Sequence, residues 1–118
     1  GTENDHVAPW KSAFKIHRLV DAEVTFALVS GGHNGGIIFE PGHPHRHYRI
    51  RTTKEHEPHL GAEDWQEVAE LRDGSWWPAW GDWLQARSSP PVAPPTLSTP
   101  DKGLKPLCDA PGTYVLQQ

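Results

Sequence analysis

The chain has 118 residues with a formal net charge of −4, six tryptophans, one cysteine and no methionine. Eleven Lys and Arg against fifteen Asp and Glu leave no basic footprint for a nucleic-acid backbone, no apolar run approaches the roughly 18 residues of a membrane span, and a single cysteine excludes an intrachain disulfide framework. Leu, Ile, Val and Phe make up only 23 of the 118 residues, so the core is thin and leans on tryptophan for apolar area. One thiol and the lack of a signal-peptide apolar region suit a reducing compartment, and cytoplasm is the expected location. The Gly1-Thr2 start and the short aliphatic count give the expectation of a piece of a larger protein.

In chain order, Gly1–Val7 reads as polar and turn-like, with Asn4 and Asp5 suited to bonding nearby amides. Pro9 fits a first helical turn, and Trp10, Ala13, Phe14, His17 and Val20 then recur at helical spacing, predicting one amphipathic helix through about Asp21. Glu23–Ser30 reads as a strand with two mostly apolar faces, which suits a parallel strand covered on both sides. The sequence offers this strand no obvious neighbours, so unpaired backbone edges are expected. A helix feeding such a strand is an α/β signature.

Gly31–Gly36 reads as a loop, Ile37–Phe39 as a short apolar continuation and Tyr48–Thr53 as a short strand. Asp64–Leu71 reads as a helix, and a second helix starts at Ser75, its expected N-cap, with Trp76, Trp80, Trp83 and Leu84 on one stripe. Seven of the twelve prolines lie between Pro90 and Pro111, predicting an extended tail over 88–118.

The chemistry-bearing candidates begin with Asp5 and His33. An imidazole base needs a fixed tautomer, and a carboxylate on its far nitrogen selects it and stabilises the imidazolium. In α/β-hydrolase folds the acid follows one late strand and the histidine the next, with a helix between, and acidic turn, helix, strand and histidine stand in that order here. Alternatively, Asp5 caps the helix and His33 is an ordinary loop histidine. GGHNGG lacks the following helix with Lys and Ser or Thr that a phosphate cradle requires. His43, His45 and His47 alternate, a spacing open to a metal ion, yet the intervening prolines favour a solvated loop, so no metal or cofactor is expected. The tryptophan stripe fits either a polymer-binding surface or docking onto a larger core. Cys108 has no glycine elbow and lies in the proline-rich tail, so it is read as non-catalytic.

Five segments together, DHVAPWKSAFKIHRL (Asp5–Leu19), VTFALVSGGHNGGI (Val24–Ile37), PGHPHRHYRI (Pro41–Ile50), GSWWPAWGDWL (Gly74–Leu84) and DAPGTYVLQ (Asp109–Gln117), resemble the C-terminal end of polyhydroxyalkanoate synthases. The resemblance implies an α/β-hydrolase-type catalytic domain over 1–87, followed by the tail, and polymerisation of (R)-3-hydroxyacyl-CoA with release of CoA. It implies a cysteine nucleophile in a G-x-C-x-G elbow and carries its partners over to Asp5 and His33. It also implies a homodimer working on a growing polyester at the surface of cytoplasmic granules. No G-x-C-x-G occurs in this sequence, so the chain alone is expected to be inactive. Two rival readings are a fragment of a thioesterase or esterase with a serine elbow, and a non-catalytic granule-binding module.

Overall fold

The computed structural model describes residues 1–95 and 102–117. The chain divides into two units, Gly1–Ser88 and Ser89–Gln118. The second carries a 3₁₀ turn at Tyr114–Leu116, and the expected tail, 88–118, falls partly outside the described residues.

In the first unit the helices are α1 (Trp10–Phe14), α2 (Ile16–Leu19), α3 (Gly35–Ile38), α4 (Ala62–Val68) and α5 (Trp77–Gln85), and the strands are β1 (Val24–Val29), β2 (His47–Thr53) and β3 (Glu70–Asp73). The expected helix through Asp21 is therefore two short pieces. The break has a local cause. His17 Nδ1 donates to the Phe14 carbonyl at 3.0 Å, the acceptor an unbroken helix would offer to Arg18, whose N–H turns instead to Lys15. Only Trp10 and Phe14 are buried on this segment, while Ala13 and Val20 are exposed.

The sheet runs β1-β2-β3 and its pairs are antiparallel, with Val24 opposite Thr53, Val29 opposite Tyr48 and His47 opposite Asp73. On the β2 side this corrects the parallel reading of β1, which holds only at the Thr2–Val29 bridge on the other edge. Two-sided apolarity reports coverage, not pairing direction, and both faces are indeed faced by helices. Phe26 and Leu28 pack with Trp10 and Phe14 of α1, Trp65 of α4 and Ala69. On the opposite face Thr25, Ala27 and Ile50 line a cavity of about 240 Å³ roofed by Trp76, Ala79, Trp80 and Trp83.

The expectation of unpaired edges on β1 is also overturned. Along the edge that β2 leaves free, Gly1–Asn4 runs parallel to it. Val29 N–H donates to the Gly1 carbonyl and Glu3 N–H to the Val29 carbonyl, each at 2.9 Å, and Asn4 N–H to Gly31 at 3.0 Å. The open edge belongs to β3, whose four residues are all exposed and three of them charged, a composition that discourages edge pairing.

The helix expected over Asp64–Leu71 ends at Val68, because Ala69 is already extended (φ −69°, ψ 132°) and Leu71 pairs with Arg49 in β3. Arg49 seals that junction by donating to the Ala69 carbonyl at 3.1 Å.

The core is an aromatic cluster in which Phe26 meets both Phe14 and Trp65 edge to face, each at 5.3 Å. Trp65 is fully buried, and its indole N–H has no acceptor among the described residues. Trp65→Ala should therefore lower unfolding stability by about 3–5 kcal/mol in urea denaturation. Trp65→Phe, which deletes the unpaired donor, should cost distinctly less.

Candidate active site

The parallel segment ends at Asn4, and the chain turns through Asp5. One carboxylate oxygen, Oδ1, accepts the N–H groups of Val7 and Ala8, both at 2.8 Å. This Asx-type turn aims the chain into Pro9 and α1. Asp5 does not cap α1, whose N-cap is Pro9 with no side-chain bond; its turn lies ahead of the helix and presents the carboxylate to the loop after β1. Its side chain is only 7% exposed. The Ala8 amide, then the His33 imidazole and the Val7 amide, hold the carboxyl down to about 2, against the upward push of burial.

His33 sits in the loop between β1 and α3. Its Nδ1 lies 2.9 Å from Asp5 Oδ2 and 3.0 Å from Oδ1. A carboxylate can only accept, so Nδ1 carries the proton and Nε2 keeps its lone pair in the neutral ring. Nε2 makes no hydrogen bond among the described residues, and the side chain is 45% exposed. Two residues 28 apart in sequence are thus brought into direct contact, and the unit formed is an oriented imidazole with one free basic nitrogen.

Two glycines shape the loop. Gly31 turns with φ +115°, a conformation closed to most side chains. Gly36 is needed for space: a Cβ there would lie 2.4 Å from the Ser30 carbonyl oxygen and 2.8 Å from Val29 Cγ2. On the exit side, the Trp76 and Trp77 indole N–H groups both donate to the Ile37 carbonyl, at 2.9 and 2.8 Å, and the Ser75 hydroxyl donates to Phe39 at 2.7 Å. Ser75 Oγ also accepts the Trp77 N–H at 3.2 Å, but it stands one residue ahead of the N-cap position expected for it, which Trp76 occupies without a side-chain bond.

Three contributors went unrecognised in the sequence. Thr2, 1% exposed, places its hydroxyl 3.4 Å from Asp5 Oδ2 and 3.4 Å from the His33 carbonyl. Glu3 points to the other side and meets His47 Nε2 at 3.2 Å. Ser30 Oγ accepts the His47 N–H at 3.1 Å. Thr2 and Glu3 lie in a stretch read as a polar turn, and only its pairing to β1 makes their side chains alternate across the segment.

The alternating histidines part company. His43 stacks on Phe39 and faces Glu40, His45 has φ +57°, and His47 goes to Glu3. Among the described residues no three His, Cys, Asp or Glu side chains converge as a metal would require. Cys108 is exposed and lies in the second unit. The cavity beneath α5 is lined by neither Asp5 nor His33. Among the described residues no helix is long and apolar enough to cross a membrane.

No family model matches the chain. It is 36% identical over 96% of its length to poly(3-hydroxyalkanoate) polymerase 2 of Ectopseudomonas oleovorans. It is 36% identical over 97% of its length to poly(3-hydroxyalkanoate) polymerase of Methylorubrum extorquens. It is 33% identical over 99% of its length to poly(3-hydroxyalkanoate) polymerase subunit PhaC of Rhizobium etli. The chain spans only 18–19% of the length of these curated relatives.

The stability that Asp5 contributes should be complete above the ordinary carboxyl value of 3.8 and lost as pH falls through about 2. A carboxyl-carbon NMR titration of Asp5 checks this, and a midpoint near 3.8 would contradict it. Gly36→Ala should destabilise the fold by about 1–3 kcal/mol by forcing the loop off β1, measurable by chemical denaturation.

Proposed function

From the premise that this chain is homologous, over nearly its whole length, to one segment of the poly(3-hydroxyalkanoate) polymerases, we propose that it is the acid-and-base segment of such an enzyme. In this reading it is the C-terminal part of an α/β-hydrolase-type catalytic domain that polymerises (R)-3-hydroxyacyl-CoA. The observation that carries the reading is the Asp5–His33 contact, Nδ1 to carboxylate at 2.9 Å with Nε2 left without a partner among the described residues. The order acid, helix, strand, histidine along two parallel backbones supports it as well.

The chemistry follows from what an oriented imidazole can do. His33 Nε2 takes the proton of a cysteine thiol supplied by a G-x-C-x-G elbow outside these 118 residues. The thiolate attacks the thioester carbonyl, and the C–S bond to CoA breaks. The imidazolium then returns the proton to the departing CoA thiolate, so the enzyme holds the acyl group as a new thioester and CoA leaves as free thiol. Chain extension repeats the logic, with the 3-hydroxyl of an acyl group as the nucleophile and either His33 or Asp5 accepting its proton. A carboxylate held well below the usual range is ionised when His33 takes up a proton, and it stabilises the imidazolium formed. Thioester exchange of this kind needs a thiolate and a shuttling base, so no cofactor is included. A homodimer acting at the surface of cytoplasmic polyester granules completes the proposal.

By itself the chain should release no CoA from 3-hydroxybutyryl-CoA, since removing a covalent nucleophile costs many orders of magnitude in rate. Substituted for the matching segment of the Ectopseudomonas oleovorans polymerase, it should support CoA release. His33→Ala in that chimera should cut the rate by roughly 10²–10⁴-fold. Turnover by the isolated chain, or a chimera indifferent to His33→Ala, would sink the proposal.

A further inference from the structure

We propose that Thr2 is the positioning residue that locks the Asp5 turn and the His33 loop into one unit. The inference rests on the reading of Asp5 and His33 as a working pair. Thr2 is 1% exposed, the only fully buried polar side chain beside that pair among the described residues. Its two branches have separate tasks. The hydroxyl lies 3.4 Å from Asp5 Oδ2 and 3.4 Å from the His33 backbone carbonyl. These are long distances for a hydroxyl bond, but the side chain is almost wholly removed from the surface, and both acceptors belong to the pair. The methyl lies 3.1 Å from the place a Cβ would occupy on Gly36, at the far end of the His33 loop. Thr2 itself is anchored by the parallel pairing of its segment to β1 at Val29.

One residue therefore touches the acid, the backbone that carries the base, and the end of the loop that delivers it. The hydroxyl has one proton for two acceptors, and when it points to Oδ2 it gives the carboxylate a buried donor that steadies the oxygen facing His33 Nδ1 at 2.9 Å. Thr2 touches no reacting atom. It acts through Asp5 and His33.

The test is the imidazole tautomer of His33, read by long-range ¹H–¹⁵N correlation on the full chain. The wild-type ring should carry its proton on Nδ1. Thr2→Val keeps the shape and removes the hydroxyl, and should shift His33 toward the tautomer mixture of a free imidazole while the Val29 and Glu3 amides stay protected from exchange. Thr2→Ser should restore the wild-type spectrum. An unchanged tautomer in Thr2→Val overturns the inference, as does loss of Val29 and Glu3 protection, which would make Thr2 a residue of the fold alone. So does a failed rescue in Thr2→Ser, which would assign the effect to the methyl. If the wild-type ring lacks the Nδ1 proton, the Asp5–His33 pair itself fails. If the tautomer responds as expected and the chimera ignores His33→Ala, only the functional reading fails.

Discussion

The structure depends on the backbone hydrogen bonds that pair Gly1–Asn4 with the free edge of β1 and with Gly31 just beyond it. A peptide amide shut away from water needs a partner, and these bonds satisfy the edge while fixing where the chain must turn. Asp5 follows immediately, so its position is set by strand register and not by a flexible loop. The carboxylate then finds two amides of the next turn, and the chain leaves for α1 with the acid already facing β1's end. His33 is delivered by the adjacent strand on the same terms. Two residues distant in sequence meet because their carriers are parallel neighbours, and a carrier that rises about 3.3 Å per residue leaves little freedom in where each side chain lands.

The surrounding structure keeps that geometry from relaxing. Gly36 brings the exit of the His33 loop to within contact of Ser30, Val29 and Thr2. The paired indole donors of Trp76 and Trp77 hold the Ile37 carbonyl just beyond it. Glu3 and His47 close the other side of the parallel segment, tying it to the start of β2. The aromatic core of Phe14, Phe26 and Trp65 holds α1 and α4 to one face of the same strand. Apolar packing sets where β1 lies, while polar contacts and tight backbone approach set what stands at its tip.

Much of this was legible in the sequence because its signals are local. The run Val24–Val29 announces a strand, the glycines around His33 announce a tight loop, and the Ser75-to-Leu84 stripe announces α5. The order of Asp5, helix, strand and His33 carried the pairing of the two residues. What was not legible depends on distant partners. Apolar faces on β1 could not say that β2 pairs antiparallel. Helical spacing around Trp65 concealed the change to extended backbone at Ala69, which is decided by β2's need for a neighbour. Nothing in GTEN advertises a strand, because its pairing is dictated by β1, and so Thr2 and Glu3 passed unnoticed. The break after Phe14 hinges on one imidazole competing for one carbonyl, a choice periodicity does not register.

The alternation across Gly1–Asn4 also bears on how this stretch can vary. Thr2 faces the buried space beside Asp5 and His33, and Glu3 faces His47. Inserting or deleting a single residue in that segment exchanges the two faces. A carboxylate would then sit next to another carboxylate in buried surroundings, while a threonine faced a histidine left without its acid. A substitution at Thr2 or Glu3 disturbs one face, whereas a change of length disturbs both at once, in contrast to an exposed loop, where an added residue is absorbed by solvent. The segment is a ruler whose spacing matters more than its markings.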